Sequence, residues 1–150
     1  MLMVNQLSGF GVVGGGGPAT VTFAGSAVGV GTANTSPHTF SGVAIGTASS
    51  DRYVVVGFGW RTGLSTTVTS VTIGGIAATV CGSASGQDGG TEQRVALYIA
   101  LVPTGTTADI VLTMSNTLAS TACATWALTN LQSATPTNSG TSTADPGTIT

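Results

Sequence analysis

The chain has 150 residues, only 5% of them charged against about 25% in an ordinary soluble domain, with three arginines, no lysine and a net charge of −2. Charge this sparse excludes binding to nucleic acid or an anionic membrane through a cationic patch, and it leaves little repulsion to oppose association. The length suits one domain with a real core, and many β-branched residues interrupted by 23 glycines and 5 prolines point to an all-β fold rather than to helices.

In chain order, Met1–Gly17 reads as an extended arm and 18–150 as the folded domain. Leu2, Val4, Leu7, Phe10, Val12 and Val13 are apolar, but the run Gly14–Gly17 has no intrinsic structure. That run is not a phosphate-binding loop, because no Gly-Lys-Ser/Thr follows it. Met1–Gln6 has no basic residue, so no signal peptide is read there. Ala19–Ala24 alternates and is predicted as the first strand, Gly25–Ser36 as a small-residue loop with at most a short edge strand, and His38–Ile45 as a strand anchored by Phe40.

Arg52–Trp60 is the densest run of β-formers and is predicted as the central strand. Val54, Val56, Phe58 and Trp60 share one side, which should face the core; Val55, Gly57 and Gly59 share the other, where the glycines imply close packing. Thr67–Ile73 and Ile76–Cys81 form a predicted hairpin around Gly74-Gly75, a turn that suits positive φ. Gly82–Gly90 is expected to be a polar loop. Gln93–Val102 is a strand with Val95, Leu97, Ile99 and Leu101 on one side, and Pro103–Thr106 turns the chain into Ala108–Met114. Ala119–Thr129 is the last strong strand, with Ala122, Ala124, Trp126 and Leu128 expected inward. Ser133–Pro146 reads as a linker, and Gly147–Thr150 begins a further strand. Short, regularly punctuated strands with no helix-length segment between them predict an antiparallel β-sandwich, jelly-roll or Ig-like, with no parallel pairing.

Residues with chemical potential are few. His38 is the only histidine, and no nucleophile can be placed beside it. Asp51, Asp88, Glu92, Asp109 and Asp145 are scattered singly, without the bracketed pair that glycoside hydrolysis needs. Asp51 and Arg52 read as a solvated strand start, and Trp60 and Trp126 as core. A sandwich can bring Cys81 and Cys123 together; without a secretion signal, two free and partly buried thiols are the expectation. One histidine and no Cys-x-x-Cys argue against zinc. No catalytic residue, metal or cofactor is therefore assigned. The expected partner contacts are Leu7, Phe10 and Val12 in the arm, together with Arg61 and Arg94.

Three segments taken together carry a resemblance: Ser70–Thr79 (Ser-Val-Thr-Ile-Gly-Gly-Ile-Ala-Ala-Thr), Val102–Val111 (Val-Pro-Thr-Gly-Thr-Thr-Ala-Asp-Ile-Val) and Trp126–Pro136 (Trp-Ala-Leu-Thr-Asn-Leu-Gln-Ser-Ala-Thr-Pro). Their order and spacing resemble a jelly-roll-like β-sandwich module of tailed-bacteriophage virion proteins and some bacterial surface proteins. The opening Leu7-Ser8-Gly9-Phe10-Gly11 looks like the start of such phage proteins. The resemblance implies a virion structural protein that is not an enzyme. It would be a capsid decoration or cement protein, assembled in the host cytoplasm. Its partners would be copies of itself, a trimer being the expected order, and other virion proteins such as the major capsid protein. It supplies no catalytic residue. The alternative it implies is a tail-fibre or surface-adhesin module binding host glycans. The arm is expected to order only in the assembly, on another chain, because fixing glycine-rich backbone costs about 1–2 kcal/mol per residue with little to offset it in an isolated subunit.

Overall fold

The computed structural model describes residues 18–29, 36–62, 66–88, 91–118, 120–131, 133 and 141–144. The arm, and with it Leu7, Phe10 and Val12, lies outside these residues, as does the strand start expected at Gly147–Thr150. The described residues contain ten strands and no helix: β1 (Thr20–Gly29), β2 (His38–Ala44), β3 (Tyr53–Thr62), β4 (Val68–Ile73), β5 (Ile76–Ala77), β6 (Thr79–Asp88), β7 (Thr91–Leu101), β8 (Thr107–Met114), β9 (Ser120–Thr129) and β10 (Thr141–Ala144). They form a six-stranded sheet in the order β1-β9-β3-β7-β6-β10 and a four-stranded sheet in the order β2-β8-β4-β5. The chain crosses from one sheet to the other at each step from β1 to β4. β3 lies inside the six-stranded sheet, between β9 and β7, as its apolar density requires.

The core lies between the sheets. Val54, Val56, Phe58 and Trp60 of β3 are buried as expected, against Phe40, Val43, Ile73, Ile110, Leu112 and Met114 of the facing sheet. Phe40 and Phe58 rings stand 6.1 Å apart, and Tyr98 meets Phe58 edge-on at 6.2 Å. Fully burying side chains of this size contributes about 1.5–3 kcal/mol each. The Gly74-Gly75 turn has both residues at positive φ, 59° and 80°, which a two-residue hairpin of this hand requires.

β9 faces opposite to expectation, and on β7 the side with the larger apolar residues is the outer one. On β9 the buried residues are Thr121, Cys123 and Thr125, so Ala122, Ala124, Trp126 and Leu128 point outward. On β7 the inward side carries Ala96, Tyr98 and Ala100, and the side with Val95, Leu97 and Leu101 is exposed. The cause is volume. Phe58 and Trp60 on β3, with Phe40 opposite and Tyr98 edge-on to Phe58, fill the space between the sheets, and the remaining inward positions of the flanking strands take small side chains such as Ala96, Ala100, Thr121, Cys123 and Thr125.

Four connections also differ from expectation. β1 runs on through Gly29 after a bulge between Phe23 and Gly25. The predicted hairpin partner splits: Ile76–Ala77 pairs with β4, and from Thr79 the chain joins β7 in the other sheet. The predicted loop Gly82–Gly90 is strand as far as Asp88. Its small residues have weak β-propensity, but pairing with β7 supplies what propensity lacks. Within the predicted linker, Thr141–Ala144 pairs with Ser83–Gly86 in parallel. A parallel pair needs a long connection, and β6 and β10 are separated in the chain by β7, β8 and β9.

Arg52, expected in solvent, is wholly buried. Its Nε donates to the Val102 carbonyl at 2.8 Å, Nη1 to the Gly46 and Gly105 carbonyls at 2.6 and 2.9 Å, and Nη2 to the Thr104 carbonyl at 2.7 Å. Gly46 and Gly105 have φ of 80° and 73°, which turns their carbonyls toward one point. Burial pulls the Arg52 pKa below its ordinary value, but a guanidinium stays charged in proteins. The cation therefore ties two turns together at one end of the sandwich.

Candidate functional site

The outer face of the six-stranded sheet is where the molecule departs from an ordinary soluble surface. The register of its strands arranges the outward side chains in rows across β1, β9, β3, β7 and β6. The first row is Val21, Leu128, Tyr53 and Leu101; the second is Phe23, Trp126, Val55, Ile99 and Thr79. The third is Ser26, Ala124, Gly57, Leu97 and Gly82, and the fourth Val28, Ala122, Gly59, Val95 and Ala84. The last is Ser120, Arg61, Gln93 and Gly86. Val21, Phe23, Val28, Val95, Leu97 and Leu101 are 42–67% exposed, well beyond a solitary apolar residue on a polar surface.

The face has relief as well as composition. Its first two rows are tall, with Phe23 packed edge-on against Trp126 at 6.1 Å. Leu97 and Trp126 close over Gly57, where a Cβ would sit 3.0 Å from Leu97 Cδ2 and 3.2 Å from Trp126 Cζ3. The close packing expected beside the β3 glycines is thus found at Gly57. It is absent at Gly59, where an added Cβ meets nothing within 4 Å. That opening belongs to two adjoining hollows of about 600 and 460 Å³, both floored by Gly59, Ala84 and Val95. Arg61, Gln93 and Ser120 edge the larger hollow, and Trp126 and Leu97 wall the smaller.

Arg61 and Arg94, paired in expectation as partner contacts, lie on opposite sides of the sheet, though both line the larger hollow. Arg61 is exposed in the last row of the outer face. Arg94 pairs with Trp60 on the opposite side of the sheet and is half-buried beside a smaller cleft of about 190 Å³, where the sheets part near Val80 and Tyr98. Trp126, expected in the core, stands on the outer face. The exposed row residues of β1, β7 and β9 were missed as surface. The available signal was that both sides of β7 and β9 are apolar.

The titratable groups suit structure more than chemistry. His38 is buried against Phe40, ring centroids 4.7 Å apart, and burial lowers its pKa. Cys81 and Cys123 are free, and burial raises both thiol pKa values, which disfavours the reactive thiolate. The Asp51 carboxylate accepts from the Ser49 hydroxyl and from the Asn130 N–H at 2.9 Å; these bonds hold its pKa below the usual value. Among the described residues, no three His, Cys, Asp or Glu side chains gather as a metal site. Comparison with known proteins returns no matching family model, no matching curated protein and no matching solved structure.

Proposed function

We propose that this chain is a bacteriophage virion structural protein, a capsid decoration or cement protein that works by symmetric self-association and contact with the shell. The observation that carries the assembly role is the apolar outer face of the six-stranded sheet, since a free monomer gains nothing from exposing it. The phage context comes from the motif order over Ser70–Thr79, Val102–Val111 and Trp126–Pro136. In this reading the sandwich is of jelly-roll type. The strand order supports that: β1-β9-β3-β7 facing β2-β8-β4-β5 is the interleaved double sheet such folds use, with β6 and β10 added at one edge. The N-terminal arm reaches a neighbouring chain through Leu7, Phe10 and Val12. Mass spectrometry of purified particles tests the proposal: the protein is expected at stoichiometric level, and its absence from particles sinks the reading.

A second reading, a glycan-binding module of a tail fibre or surface adhesin, draws on one observation. Trp126 stands half-exposed at the wall of the smaller hollow, which adjoins the larger one edged by Arg61, Gln93 and Ser120, and sugar sites combine an aromatic surface with nearby polar groups. Glycan-array binding that Trp126→Ala abolishes would favour this reading over the first.

A further inference from the structure

We infer that two copies of this chain pair face to face through the outer surface of the six-stranded sheet, about a two-fold axis near Gly57 and Ala124. This rests on the self-association reading above and not on where in a particle the protein sits. Three observations lead to the second copy as the occupant.

The first is shape. The rows on one side of Gly57 are tall: Val21, Leu128, Tyr53 and Leu101, then Phe23, Trp126, Val55 and Ile99. On the other side the row Val28, Ala122, Gly59, Val95 and Ala84 dips at Ala122, Gly59 and Ala84, where the two hollows open. A two-fold rotation about the middle row lays the tall half of each copy over the hollowed half of the other. A surface that complements itself in this way closes at two copies.

The second is area. With strands ~4.8 Å apart and outward residues ~6.6 Å apart along them, five strands by five rows cover roughly 24 by 33 Å. That is about 800 Å², the contribution of each partner to a standard stable interface. The third is charge. Among the side chains of the five rows only Arg61 is charged, and it lies in the end row. The two-fold operation sends the two Arg61 side chains to opposite ends of the contact, so no like charges meet and no charge is buried near the axis.

Sedimentation of the full chain over a range of concentrations, with two variants and a control, tests the pairing. Gly59→Arg fills the hollow in a place where its Cβ meets nothing, so the single subunit accommodates it. Val28→Glu changes a 67% exposed side chain, and Thr39→Arg is an exposed control on the other sheet. Circular dichroism checks that each stays folded. The wild type and Thr39→Arg are expected as dimers, and each test variant should raise the dissociation constant on the order of a hundredfold or more by placing an unpaired charge in the contact. A wild type that is monomeric throughout overturns the pairing and the self-association reading together. An oligomer that survives both test variants overturns the pairing alone and moves the interface elsewhere. A trimer that both variants dissociate keeps the face but overturns the two-fold pairing.

Discussion

The two sheets of this sandwich share one core and have different outer faces. The four-stranded sheet turns Thr39, Ser70, Thr72, Thr107, Asp109 and Thr113 away from the core, with Val111 half-buried among them. The six-stranded sheet turns out Val21, Phe23, Val28, Val95, Leu97, Leu101, Trp126 and Leu128. A sandwich needs one apolar side per sheet, and the four-stranded sheet meets that need with polar, β-branched residues on its solvent side. The second apolar side of the six-stranded sheet does nothing for the core of its own subunit. It calls for a separate cause, and burial against another copy supplies one.

The largest effect tests what holds the two sheets in one body. Arg52→Met leaves the carbonyls of Gly46, Val102, Thr104 and Gly105 without their donor at the end where the chain passes between sheets. Denaturant titration is expected to show a loss of about 3–5 kcal/mol, the range for breaking a buried charged network. Next comes one substitution made on the two sides of the contrast. Leu112→Ala, in the core, should cost about 2–5 kcal/mol, whereas Leu97→Ala on the outer face should cost the dissociated subunit under about 1 kcal/mol. Equal losses would mean that the outer face is part of the subunit's own core.

A smaller effect concerns the seam between the sheets. The buried Thr125 hydroxyl lies 2.7 Å from the Ala44 carbonyl in one sheet and 3.1 Å from that of Gly25 in the other, at the β1 bulge. Thr125→Val keeps the shape, removes the donor, and should cost about 1–2 kcal/mol in thermal or chemical unfolding. The smallest is the pH effect. The Asp51 pKa is lowered in the folded chain, so the folded state binds fewer protons than the unfolded state in the acid range. The stabilisation is present above the unfolded value of about 3.9 and fades as pH falls through the lower folded value. Melting temperature should fall over that window more steeply in the wild type than in Asp51→Ala.

Much of the fold was legible because alternation reveals which residues share a side. Val54, Val56, Phe58 and Trp60 were separable from Gly57 and Gly59, and the Gly74-Gly75 turn was legible from turn chemistry alone. Alternation does not say which of two apolar sides turns inward. On β7 the side with Val95, Leu97, Ile99 and Leu101 turned outward and the side with Ala96, Tyr98 and Ala100 inward, because the room left by Phe58 and Trp60 is a property of the assembled sandwich and not of one strand. The outer face was therefore hidden, Trp126 with it. Gly82–Gly86 was hidden for a related reason, since its strand exists through its partner. Arg52 looked solvated because its four acceptors are backbone carbonyls, which leave no trace in side-chain composition.

Of the four acceptors of Arg52 only Gly46 is local, and the other three are remote in the chain: Val102, Thr104 and Gly105 lie 50 to 53 residues away. Such a contact can close only after the loops between have been brought in, when most of the entropy of ordering has already been lost. Arg52 is in this sense a latch on the finished sandwich rather than a seed for it. Its removal should therefore quicken unfolding while leaving refolding nearly unchanged, so that in stopped-flow chevrons of Arg52→Met only the unfolding arm moves. A subunit held shut in this way depends on one cation that salt does little to screen, since its own side chain is buried and its partners are uncharged carbonyls.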